Sequence, residues 1–532
     1  MRAEAGRNFT TLGSVDLRVD EHGFYHPSSE EQICALVRRA HRDGVQLRVR
    51  GSGHSVKASI YTDGFGKSRA KKSGIDVMLD RLAAITFDDA KKQVTVGAGC
   101  HLGRDPRDPT GTSTEENSLF YQLDQKGWAI SDMGGVTHQT VGGFMSTGSS
   151  GGSVRNSFGG HIVAMRLIDG RGAIHELTET AAPELFSAAG VSLGLLGIMT
   201  SVTFQCVDKF NIAGQEAITA DEGCELDLFG PGRSGRPSLQ TFLTDTPYAR
   251  LVWWPQSGVE RVAVWQARPI DPAEDFHPQP YEEFPRILNS TLPAQVAGCA
   301  IYTLIGRWPD RLKGVLQAIN YPRVVLPRIL KWFVPLDGAR GPQRFRDTWW
   351  RGLPMDNQVN GKLFPTDFTE IWIPISRAQE VINALRNHYR EKGMAATGSF
   401  ACEIYAAKGS RFWLSPAFGE DAVRVNLFWF GYNKGNPREY YRQFWELLKG
   451  FGFRLHWGKH LPEDPTGAWA EYLSRQYPRW KEFMDLREEL DPNQIFVTDY
   501  WRRQLAIPSI EARVGQRLSV KVLTGDRYES CA

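Results

Sequence analysis

Two glycine-rich passages restrict this 532-residue chain more than any other feature of its sequence. The first is Arg50-Gly51-Ser52-Gly53-His54-Ser55, which follows an alternating strand pattern over 45–49. The second begins Gly134-Gly135-Val136-Thr137-His138, continues through Val141-Gly142-Gly143 and Thr147-Gly148, and ends at Gly151-Gly152-Ser153. Glycine lets a backbone approach a ligand closely and lets consecutive N–H groups converge on an anion. Loops of this kind suit a pyrophosphate. Neither carries the lysine of a Walker loop, and neither has GxGxxG spacing at a strand-to-helix turn, which argues against a P-loop and a Rossmann site. On its own the first turn is equally a plain tight turn with an exposed histidine, and the order of the surrounding signals separates the two readings.

Those signals are short strands and helices in a globular chain. Ser28 and Glu31 have capping-box spacing, Ile33, Leu36, Val37 and Ala40 follow on one helical face, and Gly44 can close it. Strand patterns cover 75–79 and 93–96, a hairpin 162–177 turns at Asp169-Gly170, and another strand covers 201–206. After 207 the composition shifts to tryptophan and proline, and 208–350 reads as an aromatic-rich insert. Ser376 and Gln379 open a helix ending at Gly393, strands follow over 402–406 and 423–430, and Asn436-Pro437 starts a helix ending at Gly450. The tally predicts an α+β chain with a mixed or antiparallel sheet covered by helices.

Composition removes several function classes. Hydrophobic residues at 41% and charged residues at 23% exclude a disordered or fibrous chain. Sixty-three Lys and Arg against 60 Asp and Glu give no field for nucleic acid or an anionic membrane. Seven scattered cysteines without a CxxC pair read as reduced thiols, and no histidines have metal-ligand spacing. The N-terminus lacks the apolar segment of a secretory signal, the apolar stretch at 324–335 is too short and broken to span a bilayer, and the Asn8 and Asn289 sequons read as chance. Cytoplasmic residence without a transmembrane span is expected.

The order RVRGSGHS, VTVGAGC, WAISDMGGVTHQTVGG, TGSSGGS and LGLLGIMTSVTF resembles the FAD-binding domain of the vanillyl-alcohol-oxidase-type (PCMH) flavoproteins over about residues 20–207. At the other end, Leu455-His456-Trp457-Gly458-Lys459-His460 and Asp491-Pro492-Asn493-Gln494-Ile495-Phe496 resemble the closing segments of the aldonolactone-oxidase and alditol-oxidase branch. The resemblance implies a two-domain flavoprotein: an FAD-binding domain at 1–207, a substrate-binding cap at 208–489 and a C-terminal segment at 490–532 returning to the first domain. It also implies FAD joined through its 8α carbon to His54, with a single link because the second glycine loop has no cysteine. Arg50, Gly51, Ser52, Gly53 and Ser55 would form the first turn of the cofactor site. Gly134, Gly135, Thr137, His138, Gly142, Gly143, Thr147 and Gly148 would form the second, with Gly197 and Ile198 beyond. A small residue near 141–143 in such proteins admits dioxygen, which implies an oxidase releasing hydrogen peroxide. An 8α-linked imidazole withdraws electrons from the flavin and raises its potential, so His54 is tether and tuner together.

Oxidising an alcohol by hydride transfer requires a positioned carbinol, a proton acceptor and a cation to stabilise alkoxide character. Strand alternation puts Glu403 and Tyr405 on one face, opposite Cys402 and Ile404. The resembling branch has Glu-x-Arg on such a strand and a lysine in the HWGK segment; Glu403 and Lys459 match, while Tyr405 stands where the arginine is expected. Glu403 is expected to orient substrate, with Tyr405 beside it, and Lys459 to handle the hydroxyl proton. The substrate class implied is a polyol, aldonolactone or related sugar-like alcohol. Tyr405 and the aromatic region equally fit a tailoring oxidase of a bulkier metabolite, and a dehydrogenase with a non-oxygen acceptor or a degenerate flavin-binding protein also remains open at this level.

Overall fold

The computed structural model describes residues 17–66, 74–284, 290–307, 325–398 and 400–511. The two sequons, residues 316–324 of the proline- and aromatic-rich stretch 316–336 and the tail beyond 511 lie outside the described residues. Strands β1 (Phe24–Tyr25), β2 (Gln46–Arg50) and β3 (Gly74–Met78) form a parallel sheet in the order β1-β3-β2. Strands β4 (Ile85–Asp88) and β5 (Gln93–Gly97) belong to a second sheet, and β6 (Trp128–Ala129) to a short ribbon. The expected hairpin is β7 (Ile162–Ile168) and β8 (Ile174–Thr178), followed by β9 (Ile198–Gln205); together they complete an antiparallel sheet β4-β5-β9-β7-β8. β10 (Val207–Asp208) pairs with β6.

The remaining strands form one antiparallel sheet: β11 (Asn211–Ala220), β12 (Tyr248–Trp254), β13 (Arg261–Ile270), β14 (Gln343–Thr348), β15 (Thr366–Pro374), β16 (Cys402–Ala407), β17 (Ala422–Phe430) and β18 (Arg454–Leu455). Its order is β14-β11-β13-β12-β16-β17-β15-β18. The sequence reading of 208–350 as an insert is thereby corrected, because that stretch supplies β11 to β14, half of the sheet. Of the two expected arrangements, mixed or antiparallel, the sheet takes the antiparallel one throughout.

The sheet's two faces differ in chemistry, as an antiparallel sheet with unlike neighbours requires. Leu251, Trp253, Cys402, Ile404, Val423, Val425, Ile371 and Ile373 share the apolar face, where Trp253 meets Tyr389 of the helix Ala378–Lys392 at 5.4 Å between ring centroids. Register places Arg250, Tyr405, Arg424 and Trp372 in one row across the opposite face, and Glu403, Asn426 and Glu370 in the next. That face meets the second glycine passage: the Ala249 amide donates to the Gly152 carbonyl at 2.9 Å, and Arg424 Nη1 to the Ser150 carbonyl at 2.8 Å.

Local rules account for most boundaries. The first helix, Glu30–Asp43, buries Ile33, Leu36, Val37 and Ala40 and stops at Gly44 with φ 62°. Its cap sits one residue later than the spacing predicts: Ser29 Oγ accepts from the Gln32 amide, and Gln32 Oε1 accepts from the Ser28 amide at 2.7 Å. The helix expected to be capped by Ser376 and Gln379 instead begins at Ala378 after a 3-10 turn, without a side-chain cap.

The C-terminal segment returns to the first sheet. Leu47 N donates to Ile495 O at 2.7 Å, Arg48 Nη1 to Phe496 O at 3.0 Å, and Trp501 Nε1 to Ser59 O at 2.9 Å. These contacts cover β2, which would otherwise be an open sheet edge.

Candidate active site

A cleft with about 1320 Å³ of empty space lies between the glycine passages and the C-terminal segment. β2 delivers Arg50, Gly51, Ser52, Gly53, His54 and Ser55 to its wall. The chain must pass close to the second passage there: a Cβ on Gly51 would lie 2.5 Å from Thr140 Oγ1, and Gly53 turns with φ 76°. Thr140 also caps the short helix Val141–Ser146, whose Gly142 and Gly143 reach the same wall, with Thr147 beyond. Gly197 and Ile198 complete it from the start of β9.

His54 Nε2 is shut off from solvent without a hydrogen-bond partner. Burial pushes this imidazole's pKa down to about 3, with Lys459 and His138 adding to the effect, so it is neutral and keeps a free lone pair. The backbone amides of Ser52 to Ser55 find no protein acceptor among the described residues. An unpartnered buried imidazole nitrogen beside unclaimed amides on a glycine turn fits a dinucleotide with a reactive ring; it is poor design for a plain turn.

Lys459 lines the same cleft, 405 positions later in the chain. The HWGK segment is held there by the Val56 amide donating to Gly458 O at 2.9 Å, and a Cβ on Gly458 would meet Ser55 Oγ at 2.7 Å. His456 Nδ1 accepts from the Gly458 amide at 3.1 Å, so its proton resides on Nε2 and is donated to Ser149 Oγ at 2.9 Å. Burial holds this ring neutral, with its pKa down to about 4. Burial lowers the pKa of Lys459 too, against the pull of Glu370 and Asp367, while its Nζ lies 4.1 Å from the Phe368 ring centroid.

Other expected residues lie elsewhere. Gly134 packs against Phe144, and Gly148, at φ 73°, packs against Pro416. Thr137 pairs with Asn357 through two hydrogen bonds at 3.0 Å. His138 sits behind His54 with ring centroids 5.5 Å apart, its carbonyl accepting from Ser52 Oγ. These residues support the cleft from behind because the second passage folds back on itself before reaching the wall.

Glu403 and Tyr405 share a face as alternation predicts, and Tyr405 Oη donates to Glu403 Oε1 at 2.7 Å. They do not line the cleft with Lys459. Asn426 Nδ2 donates to the other Glu403 oxygen at 2.9 Å, and both residues are buried in an ionic cluster that the sequence did not reveal. Arg250, 2% exposed, lies 2.8 Å from Asp356, 3.7 Å from Glu403, and 3.8 Å from both Glu216 and Glu283. Burial raises the pKa of all four carboxyls, with Asp356 adding to the effect at Glu403. Tyr405 borders a much smaller cavity, with room for about one water-sized group, as does Gly135. Between the two centres lies Glu370, a buried carboxylate in the apolar pattern EIWIP whose pKa is held down by Arg424, His456 and Lys459 against burial. A lone acid in such a pattern was the signal available for it.

Residues 202–504 match the D-arabinono-1,4-lactone oxidase family, and residues 22–104 match the FAD-binding domain family. The chain belongs to the D-arabinono-1,4-lactone oxidase family. It is therefore an FAD-linked oxidoreductase of the PCMH-type two-domain fold. L-gulonolactone oxidase of Mus musculus is 24% identical over 90% of this chain and 93% of its own length. L-gulono-1,4-lactone dehydrogenase of Mycobacterium tuberculosis strain H37Rv is 25% identical over 90% and 95%. Among solved structures, a cholesterol oxidase from B. sterolicum superposes with a TM-score of 0.66 at 15% identity, covering 91% of this chain and 94% of that one, which speaks to the fold alone.

Proposed function

We propose that this chain oxidises a CH–OH group of a sugar-derived lactone, with FAD tethered to His54 and dioxygen as the terminal acceptor. The observation that carries the reading is the unpartnered His54 Nε2 in the cleft wall, with Lys459 brought to that wall from the far end of the chain. Bound FAD supplies a hydride acceptor and a route for electrons to dioxygen. The chain's own residues do the rest. Ser52 to Ser55 offer amides to the pyrophosphate, and Gly51, Gly142, Gly143, Thr147, Gly197 and Ile198 supply close backbone along the groove. Thr137 and His138 brace it from behind.

On the substrate side, Lys459 accepts the hydroxyl proton; its lowered pKa leaves more of it in the free-base form than an exposed lysine would have. Glu370 steadies the charge that Lys459 then carries. Glu403 accepts a hydrogen bond from the Tyr405 hydroxyl and so orients that side chain. The relatives are named for lactones rather than alditols, and they include both oxidases and a dehydrogenase. The oxidase reading rests on Gly142 and Gly143, which leave no side chain at that part of the wall. The domain limits 1–207, 208–489 and 490–532 belong to the proposal. So does cytoplasmic residence: no helix among the described residues is long and apolar enough to cross a membrane, and the described cysteines are free thiols.

Acid-precipitated protein should keep its yellow colour in the pellet, and His54→Ala should release it. Peroxide should form with aldonolactones in air. If Lys459→Met and Glu403→Gln both leave anaerobic flavin reduction unchanged, the assignment of proton acceptor and orienting residue is wrong.

A further inference from the structure

The charged face of the large sheet carries a cation that the reading above leaves unused. Arg424 on β17 is 5% exposed, and its Nη1 is committed to the Ser150 carbonyl. The guanidinium lies over the Tyr405 ring at 4.5 Å and the Trp372 ring at 4.9 Å, with Glu370 3.7 Å away, and Nε has no partner. Two aromatic rings and a carbonyl fix its plane. Tyr405 is directly opposite across the β16–β17 ladder.

Arg424 and Tyr405 both border the smaller cavity, whose remaining wall includes Gly135, Gly151 and Gly152. Asp132, the carboxylate on that wall, is already engaged by the Gly151 and Phe158 amides at 3.1 Å and by Ser150 Oγ at 3.2 Å. The cavity therefore presents a fixed cation beside glycine backbone and the side chains of Met133, Tyr248, Leu353 and Met355. Ser149 lines the main cleft and Gly151 the smaller cavity, so a single residue, Ser150, separates them, and its carbonyl is the one that holds Arg424.

Resting on the lactone reading, we propose that the smaller cavity receives the carbonyl end of the substrate and that Arg424 fixes it, so that the enzyme prefers carbonyl-bearing lactones to open-chain alditols. A guanidinium is permanently charged and offers several N–H groups in one plane, which suits a carbonyl oxygen whose lone pairs lie in a plane too. A polyol presents only hydroxyl groups, which gain less from a fixed cation. The positive charge absent from position 405 is thus supplied one strand away, with the Tyr405 ring as its platform.

The test uses purified holoenzyme with L-gulono-1,4-lactone and sorbitol as probes, flavin content and the visible spectrum being recorded for each variant. Arg424→Met should raise KM for the lactone by about 10- to 100-fold while kcat and sorbitol KM change much less. Arg424→Lys should fall between parent and Met variant. Adding Tyr405→Arg to Arg424→Met should restore part of the lactone preference; this variant and Arg424→Lys decide the matter if Arg424→Met fails to fold. Equal losses on both probes, an unchanged lactone KM in flavin-replete variants, or no recovery in the double variant would overturn the proposal. A parent enzyme that neither turns over nor spectrally responds to any lactone overturns the underlying substrate reading as well, whereas lactone turnover with an indifferent Arg424 overturns only this inference.

Discussion

Replacing Arg250 by methionine removes the cation shared by four carboxyl groups, two of them buried and two half-buried, and the structure allows the cost to be worked out. At about 4 Å and an effective dielectric near 20, one ionic contact is worth roughly 4 kcal/mol. Four such contacts at 2.8 to 3.8 Å cannot simply be summed. The carboxyls respond by taking up protons, which limits the loss to the range for one broken buried pair, about 3–5 kcal/mol. Asp356, whose side chain is 31% exposed, contributes less than its short contact suggests. The sign of the pH dependence follows from the direction of the shifts. Each carboxyl is already held above its unfolded value, Glu403 at about 7, so each favours folding below about pH 4 and opposes it increasingly as pH rises towards the folded value. Loss of Arg250 raises these folded values further. The deficit of Arg250→Met against the parent should therefore be largest near pH 8 and shrink on acidification to pH 5. Equilibrium urea unfolding followed by tryptophan fluorescence at several pH values measures it. A variant as stable as its parent at pH 8, or a deficit that grows in acid, would refute the view of Arg250 as the charge centre of the sheet.

Three further outcomes follow from contacts in the cleft. Gly51→Ala places a methyl 2.5 Å from Thr140 Oγ1 and should lower flavin content, while adding Thr140→Ala should recover part of it, read from the ratio of visible to ultraviolet absorbance. Gly458→Ala should weaken activity through its clash with Ser55 Oγ, and Ser55→Ala in the same chain should relieve it, as kcat/KM would reveal. Lys459→Met should reduce the rate of anaerobic flavin reduction by about 10²- to 10⁴-fold and flatten its rise with pH, because the lysine must lose its proton before it can accept one; stopped-flow measurements across pH 6–10 check both.

Much of the first sheet was legible because its signals are local. Strand β2 ends in a glycine turn, the hairpin β7–β8 turns at Asp169-Gly170, and Gly44 and Gly393 stop helices with φ of 62° and 58°. The cleft was legible for a different reason: GSGHS and HWGK are distinctive enough to be matched from opposite ends of the chain. The large sheet was hidden. Its centre pairs β12 with β16, about 150 residues away, and nothing in a single strand announces its neighbour or register. Alternation correctly put Glu403 and Tyr405 on one face, yet the same rule cannot say what faces them. Arg250 and Arg424 therefore remained unseen although they flank Tyr405 directly. The tryptophans of 208–350 suggested an insertion because bulky aromatics mask the period of two; Trp253 and Trp265 are ordinary inward-facing strand residues.

The bonds from Leu47, Arg48 and Ser59 to residues 495–501 bear on how the enzyme is made. A ribosome finishes the glycine turn long before it supplies the segment that seals strand β2, or the lysine that joins His54 in one wall. Residues 495–501 must therefore be made before the groove can grip its cofactor, and a chain cut before residue 495 should have a colourless first domain with an exposed, sticky strand.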